Sequence, residues 1–235
     1  DMDTHEVARI FENHDLVSAA VVNKEGVLLG RITVDDVVDI IRDEADDSVL
    51  NMAGLNKEDD IFAPIIQSTK RRTIWLGANL ITAVLAAAAI GIFEATIEKV
   101  VTLAILMPIV ASMGGIAGMQ SLALVMRFQA TNQIGITNSK LLIFKEASIG
   151  VLNGILWSSI VASAVYFWFN SIFLGLVIAA ALMINLIIGA ISGVSLPLIL
   201  RRLNIDPALA GGVILTTITD IIGFISLLGI ATLMM

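Results

Sequence analysis

An all-α polytopic membrane domain of five transmembrane helices, preceded by a small α/β lobe, is the fold class this sequence predicts. Three observations carry the prediction. Of the 235 residues, 57% are apolar and only 15% charged, too apolar and too poor in charge for an ordinary soluble domain. The charge is also segregated: residues 1–60 hold 16 of the 21 acidic and five of the 14 basic side chains, a net charge of −11, against +4 for the remainder. That asymmetry marks a boundary near residue 60 between a polar globular piece and a hydrocarbon-soluble one. Finally, five apolar runs of roughly 20 residues or more, each able to cross ~30 Å of hydrocarbon, follow one another after residue 72.

The lobe reads element by element. Val7, Ile10 and Phe11 fall at helical spacing in HEVARIFEN, after Thr4 as a candidate N-cap, which predicts a short amphipathic helix over 5–13. AAVV and VLLGRI, separated by NKEG, predict two strands joined as a hairpin with Gly26 in the turn. Thr33, with Asp36 three residues on and then Val37, Ile40 and Ile41, has the pattern of a capping box opening a helix that runs to about residue 46. Residues 47–72, interrupted by Gly54 and Pro64, carry Glu58, Asp59 and Asp60 and end at Lys70, Arg71 and Arg72. They are predicted as a helical connector between a lobe of residues 1–46 and a membrane domain of residues 73–235.

The spans are predicted near 73–93, 98–126, 143–169, 171–200 and 207–234. Lys70, Arg71 and Arg72 precede the first; Arg127, Lys140 and Lys145 lie between the second and third; Arg201 and Arg202 lie between the fourth and fifth. These clusters share one side of the membrane, whereas the alternate breaks hold Glu94, Glu98 and Lys99, or only Asn170 and Ser171. The positive-inside rule then puts the N-terminal lobe in the cytosol and the C-terminus outside, in the cell membrane.

Several classes are set aside. With no cysteine there is neither a disulfide framework nor a thiolate metal site, and both histidines precede the membrane runs. No P-loop, nucleophile elbow, HExxH or paired catalytic histidine is present, so no enzyme is predicted and no nucleic-acid partner is expected. No signal peptide is visible, and Asp1 in place of an initiator Met predicts a piece of a longer protein.

Asp220 lies about midway along the last span, in LTTITDIIGF, where an unpaired charge costs at least ~2.5 kcal/mol and normally faces a bundle interior or water. Thr216 one turn before it, Gly212 two turns before and Gly223 three residues after share its face. Two roles are open: a protonated or hydrogen-bonded group that glues helices together, or a carboxylate on a cation path. The polar and small stripe favours the path. In the second span, Pro108 and then SMGGIAGMQ, with Gly114, Gly115 and Gly118, predict an interrupted helix with exposed carbonyls or, equally, a close helix contact. Asn185, Gly189, Ser192 and Gly193 share a face of the fourth span and are expected in an interhelical seam more than in a site.

The run RDEADD, flanked by Asp35, Asp36 and Asp39 and by Glu58, Asp59 and Asp60, concentrates negative charge before the membrane. A solvated face and a cation sensor both fit it. Oxygen ligands without His or Cys suit Mg²⁺ or Ca²⁺.

On these residues the chain resembles the MgtE-type magnesium channel or transporter family. DLVSAAVVNKEGVLLGRITVDDVVDIIRDEADD resembles the end of a CBS domain, with Gly30, Ile32, Thr33 and Asp36 in the signature, so the lobe is expected to be a partial CBS domain. GLNKEDDIFAPIIQSTKRR resembles the family's connecting or plug helix, and DPALAGGVILTTITDIIGF its last pore helix. The resemblance implies Mg²⁺ uptake through a homodimer in the lipid bilayer, with an ion pathway at Asp220, Thr216, Gly212 and Gly115. It implies a gate held shut by cytosolic Mg²⁺ at Asp36, Asp39, Glu44 and Asp47, and ATP or another adenine nucleotide at Thr33 and Asp36. The family pattern GGNxGxQ departs here to GGIAGMQ: Ile116 replaces the amide and Met119 lies beside it, while Gly115 and Gln120 remain. The alternatives are an exchanger or a carrier of another divalent ion such as Co²⁺ or Mn²⁺, and a non-conducting membrane sensor of Mg²⁺ or nucleotide.

Overall fold

Ala8 and Phe11 on α1 (Thr4–His14) and Val37 on α2 (Val34–Met52) are buried together, with Leu16, Ala19 and Ile32 packed around them. This small core is the reason the first segment folds. Between the two helices, β1 (Ser18–Val22) pairs antiparallel with β2 (Leu28–Thr33) in the register Ser18↔Thr33 to Val21↔Gly30, slipping by one residue to Val22↔Leu28. The turn is closed by the Asn23 side-chain oxygen, which accepts from the N–H groups of Glu25 (3.1 Å) and Val27 (2.8 Å), and by Gly26 at φ +80°. The computed structural model describes the chain except residues 1, 3, 56–61, 63, 131–135 and 204, and except the side chains of residues 5, 44, 45, 48, 52, 129, 130 and 136–138.

Asp1–Ser68 and Thr69–Met235 are separate compact units. The second is built from α3 (Ile65–Gly91, whose first turn belongs to the first unit), α4 (Glu94–Lys99), α5 (Thr102–Ala130), α6 (Ile136–Phe169), α7 (Ile172–Arg202) and α8 (Pro207–Met234). Five of these helices are long and apolar enough to cross a membrane: α3, α5, α6, α7 and α8. The protein is a multi-pass membrane protein.

The most enclosed helix is α7. It packs against α5, α6 and α8, and α5 also packs against α8. Leu103, Leu106 and Val110 of α5, Ile178 and Leu182 of α7, and Leu227 and Leu228 of α8 fill the interior. The outer faces are as apolar as the inside: Leu152 and Ile155 of α6 are exposed, and so are Ile74, Leu80, Ile81 and Val84 of α3, which buries only Ala86 and Ala89. Hydrocarbon solvates such faces as well as protein does, so hydrophobicity alone draws no two of these helices together.

Local signals set the helix ends. Ser171 caps α7 by accepting from the Leu174 N–H (3.3 Å), after a tight turn with Asn170 at φ +47°. Asp206 caps α8 by accepting from the Ala208 N–H (2.8 Å), and Pro207 takes the first helical position, where no donor is needed.

Three expectations change. The helix opened by Thr33 ends at Met52 rather than near 46, because nothing breaks it before Gly54 at φ +72°. The first membrane helix begins at Ile65, directly after Pro64, so the basic triplet Lys70–Arg72 is helical and continuous with the span. The second span is not interrupted: α5 runs unbroken through Pro108 and all three glycines. The predicted acids Glu58, Asp59 and Asp60 of the connector lie outside the described residues.

Candidate functional site

An open cleft of about 650 Å³ runs between α5 and α8. Thr216 and Asp220, one helical turn apart, supply its α8 wall; Ser112, Gly115, Ile116, Met119 and Gln120 recur at helical spacing along the α5 wall. Three of the four ion-path residues predicted from sequence, Asp220, Thr216 and Gly115, are thereby brought together. Gly212 is not part of the lining. It lies one turn further along α8, where a Cβ would stand 3.8 Å from the Met119 side chain.

The polar groups are arranged as acceptors. The Thr216 hydroxyl donates to the carbonyls of Gly212 and Val213, both at 3.1 Å, which leaves its lone pairs for the cleft. Asp220 is half-buried and has no hydrogen-bond or ion-pair partner among the described residues, so no neighbouring helix of the chain claims it as packing glue. Gly115 lets α5 approach: a Cβ there would lie 3.8 Å from the Thr219 hydroxyl. A carboxylate and a hydroxyl acceptor beside a small residue suit a hydrated cation better than an anion or an apolar ligand. Ile116 and Met119 make the opposite wall apolar.

Behind the cleft the helices are tightly fastened. Gly114 and Gly118 of α5 face Gly189 and Gly193 of α7: a Cβ on Gly189 would fall 2.6 Å from the Gly114 carbonyl oxygen, and one on Gly193 would collide with the Gly118 carbonyl oxygen. Asn185 is fully buried and its amide donates to the Val110 carbonyl (2.8 Å). The seam expected for Asn185, Gly189 and Gly193 is thus present, and the glycines of α5 serve it rather than unwinding the helix.

One group escaped the sequence reading. Glu146 stands nearly three turns into α6, 5% exposed, and its carboxylate accepts from the Ser121 hydroxyl of α5 at 2.8 Å. The sequence alone assigns it no role, although it falls inside the run predicted as the third span. The signal that would have found it is its position inside the apolar run, between Phe144 and Ile149.

In the lobe, Asp36 is already engaged. Its carboxylate accepts from both the N–H and the hydroxyl of Thr33, each at 2.9 Å, closing the first turn of α2. Asp39 is exposed, Asp47 is half-buried with one carboxylate oxygen unpartnered, and the side chain of Glu44 lies outside the described residues. Among the described residues no three acidic or histidine side chains converge as a metal site. A Mg²⁺ ion held here would need ligands from a second element.

The model of the MgtE family, described as divalent cation transporters, matches residues 107–230, a stretch that includes both walls of the cleft. The chain is 36% identical over 230 residues to the magnesium transporter MgtE of Bacillus subtilis, covering 98% of this chain and 51% of that protein. It is 30% identical over 237 residues to the magnesium transporter MgtE of Thermus thermophilus, covering 100% of this chain and 52% of that one. With the Enterococcus faecalis protein of the same name the identity is 29% over 233 residues, 99% and 51% of the two chains. The chain spans about half the length of each of these relatives. It belongs to the MgtE family of divalent cation transporters.

Proposed function

We propose that this chain passes Mg²⁺ across the membrane along the α5–α8 cleft, with Asp220 attracting a largely hydrated ion. The observation that carries this reading is the convergence of Asp220, Thr216 and Gly115 on one cleft within the spans. Mg²⁺ gives up water reluctantly, so a carboxylate and a hydroxyl acceptor serve it best by hydrogen bonding to its water shell. The names of the relatives add support for Mg²⁺ as the cargo.

The cleft is open along one side, and a second copy related by a two-fold axis would close it into a pore with a pair of Asp220 side chains. The clusters at Lys70–Arg72, Lys140–Lys145 and Arg201–Arg202 support a cytosolic lobe and an external C-terminus. Regulation is the further part of the proposal: cytosolic Mg²⁺ bridges α2 at Asp39, Glu44 and Asp47 to a second acidic element, and its loss leaves like charges that separate. Asp36 contributes less directly, since it closes the α2 cap, and the Thr33–Asp36 pair is the candidate contact for an adenine nucleotide.

Mg²⁺ flux into proteoliposomes, compared between the native chain and Asp220→Ala, tests the path. Flux abolished in the variant is expected; equal flux in both sinks the carboxylate's role. Ile116 and Met119 in the wall favour a second reading, a carrier or exchanger of another divalent ion such as Co²⁺ or Mn²⁺, because the wall lacks the amide of the family pattern that could hold the water shell of Mg²⁺. Flux with and without an opposing ion gradient separates exchange from conduction.

A further inference from the structure

The middle of α7 holds a side chain that hydrophobic packing alone does not explain. Asn185 has no solvent exposure, its amide nitrogen donates to Val110 on α5, and its side-chain oxygen has no partner. A leucine would fill the same space without leaving a buried acceptor unmet.

Its neighbours are shaped to it. A Cβ on Gly114 of α5 would lie 2.9 Å from the Asn185 oxygen and collide with its nitrogen, and a Cβ on Gly223 of α8 would lie 2.8 Å from that nitrogen. The amide is therefore wedged between bare backbone on two different helices. Gly114 adjoins Gly115, and Gly223 follows Asp220 by three residues, so the two helices pinched around Asn185 are those whose other faces line the cleft. Thr219, beside Asp220, is also fully buried, and it stands across from Gly115.

We propose that Asn185 is a positioning residue for the ion path: its amide is the spacer that sets how far Gly115 on α5 stands from Asp220 on α8. This rests on the proposed transport along that cleft. The polar head suits the task because the bond to the Val110 carbonyl fixes where the spacer lies along α5, which an apolar side chain cannot do.

The test uses the full chain in proteoliposomes, with initial Mg²⁺ flux and competition by Co²⁺ as readouts, and thermal melting in detergent as a check on folding. Asn185→Ala is expected to shift both the apparent KM for Mg²⁺ and the Mg²⁺-to-Co²⁺ ratio by about fivefold. Gly114→Ala, which pushes a methyl into the amide, is expected to lower flux by about fivefold or more, and the double variant to return to about the level of Asn185→Ala alone. Preserved KM and ion ratio in Asn185→Ala, or a double variant no better than Gly114→Ala, overturns the proposal. If Asn185→Ala does not fold, Asn185→Ser carries the same comparison with a smaller void. If the native chain passes no Mg²⁺, the transport reading fails; additive melting shifts of Gly114→Ala and Asn185→Ala would then separately overturn the spacer.

Discussion

Ser121 on α5 and Glu146 on α6 are both buried and joined by a 2.8 Å hydrogen bond, the Ser121 hydroxyl donating to the Glu146 carboxylate. Ser121 directly follows Gln120, which lines the cleft, so the bond holds the cleft-lining helix α5 from the side away from the cleft. Carboxylates within spans are uncommon and face partners rather than lipid. This one fastens a wall in place, whereas Asp220 has its carboxylate free.

Glu146→Ala removes that acceptor and leaves a void, and is expected to destabilise the fold by about 1–3 kcal/mol. For a chain of this size this corresponds to a melting point lower by about 2–4 °C per kcal/mol. Glu146→Gln keeps both volume and acceptor and should stay within about 1 kcal/mol of the native chain. Melting of the detergent-solubilised protein checks the order; a Gln variant as weak as the Ala variant would mean that the charge itself is in use.

Among the glycines, position decides the effect of an added methyl. Gly189→Ala brings a Cβ to 2.6 Å from the Gly114 carbonyl oxygen, and the two backbones must part. A loss of about 1–3 kcal/mol is expected, with reduced flux. Gly77→Ala on α3 meets nothing within 4 Å and should be neutral or stabilising by up to about 1 kcal/mol. Melting of the two variants side by side tests the contrast.

Thr33→Ala and Asp36→Ala both open the first turn of α2 and should each cost the lobe about 1 kcal/mol, read as faster hydrogen exchange at the α2 N-terminus. An Asp36 variant that loses Mg²⁺ inhibition is therefore ambiguous between a lost ligand and a frayed helix. Asp47→Asn avoids the cap, and unchanged inhibition in that variant would remove Asp47 from the proposed gate.

Ile116→Asn places an amide in the apolar wall facing Asp220. One added hydrogen bond to the ion's water shell, about 1 kcal/mol, should raise Mg²⁺ flux relative to Co²⁺ by about fivefold. An unchanged ratio in competition assays would show that the α5 wall does not discriminate.

The spans were legible because membrane insertion is a local demand: ~20 apolar residues suffice whatever they later touch. The hairpin and its Gly26 turn and the Thr33–Asp36 cap were equally local. Asp220 and Thr216 could be placed on one face by counting turns. The continuity of α5 could not, because Pro108 and three glycines weaken an isolated helix, and only contact with α7 tells whether they break it.

The sequence by itself determined that this is a membrane protein with an acidic lobe and a carboxylate in its last span, since hydropathy and charge are properties of segments. Only the tertiary structure decided that Gly115 lines the same cleft as Asp220 while Gly212 is not part of that lining. It also decided that Glu146 is buried against Ser121, 25 residues away, and that Asn185 reaches Val110, 75 residues away. Those pairings depend on which helix faces meet, and in hydrocarbon, where every apolar face is equally well solvated, that choice rests on small residues and buried polar contacts that no segment reveals alone.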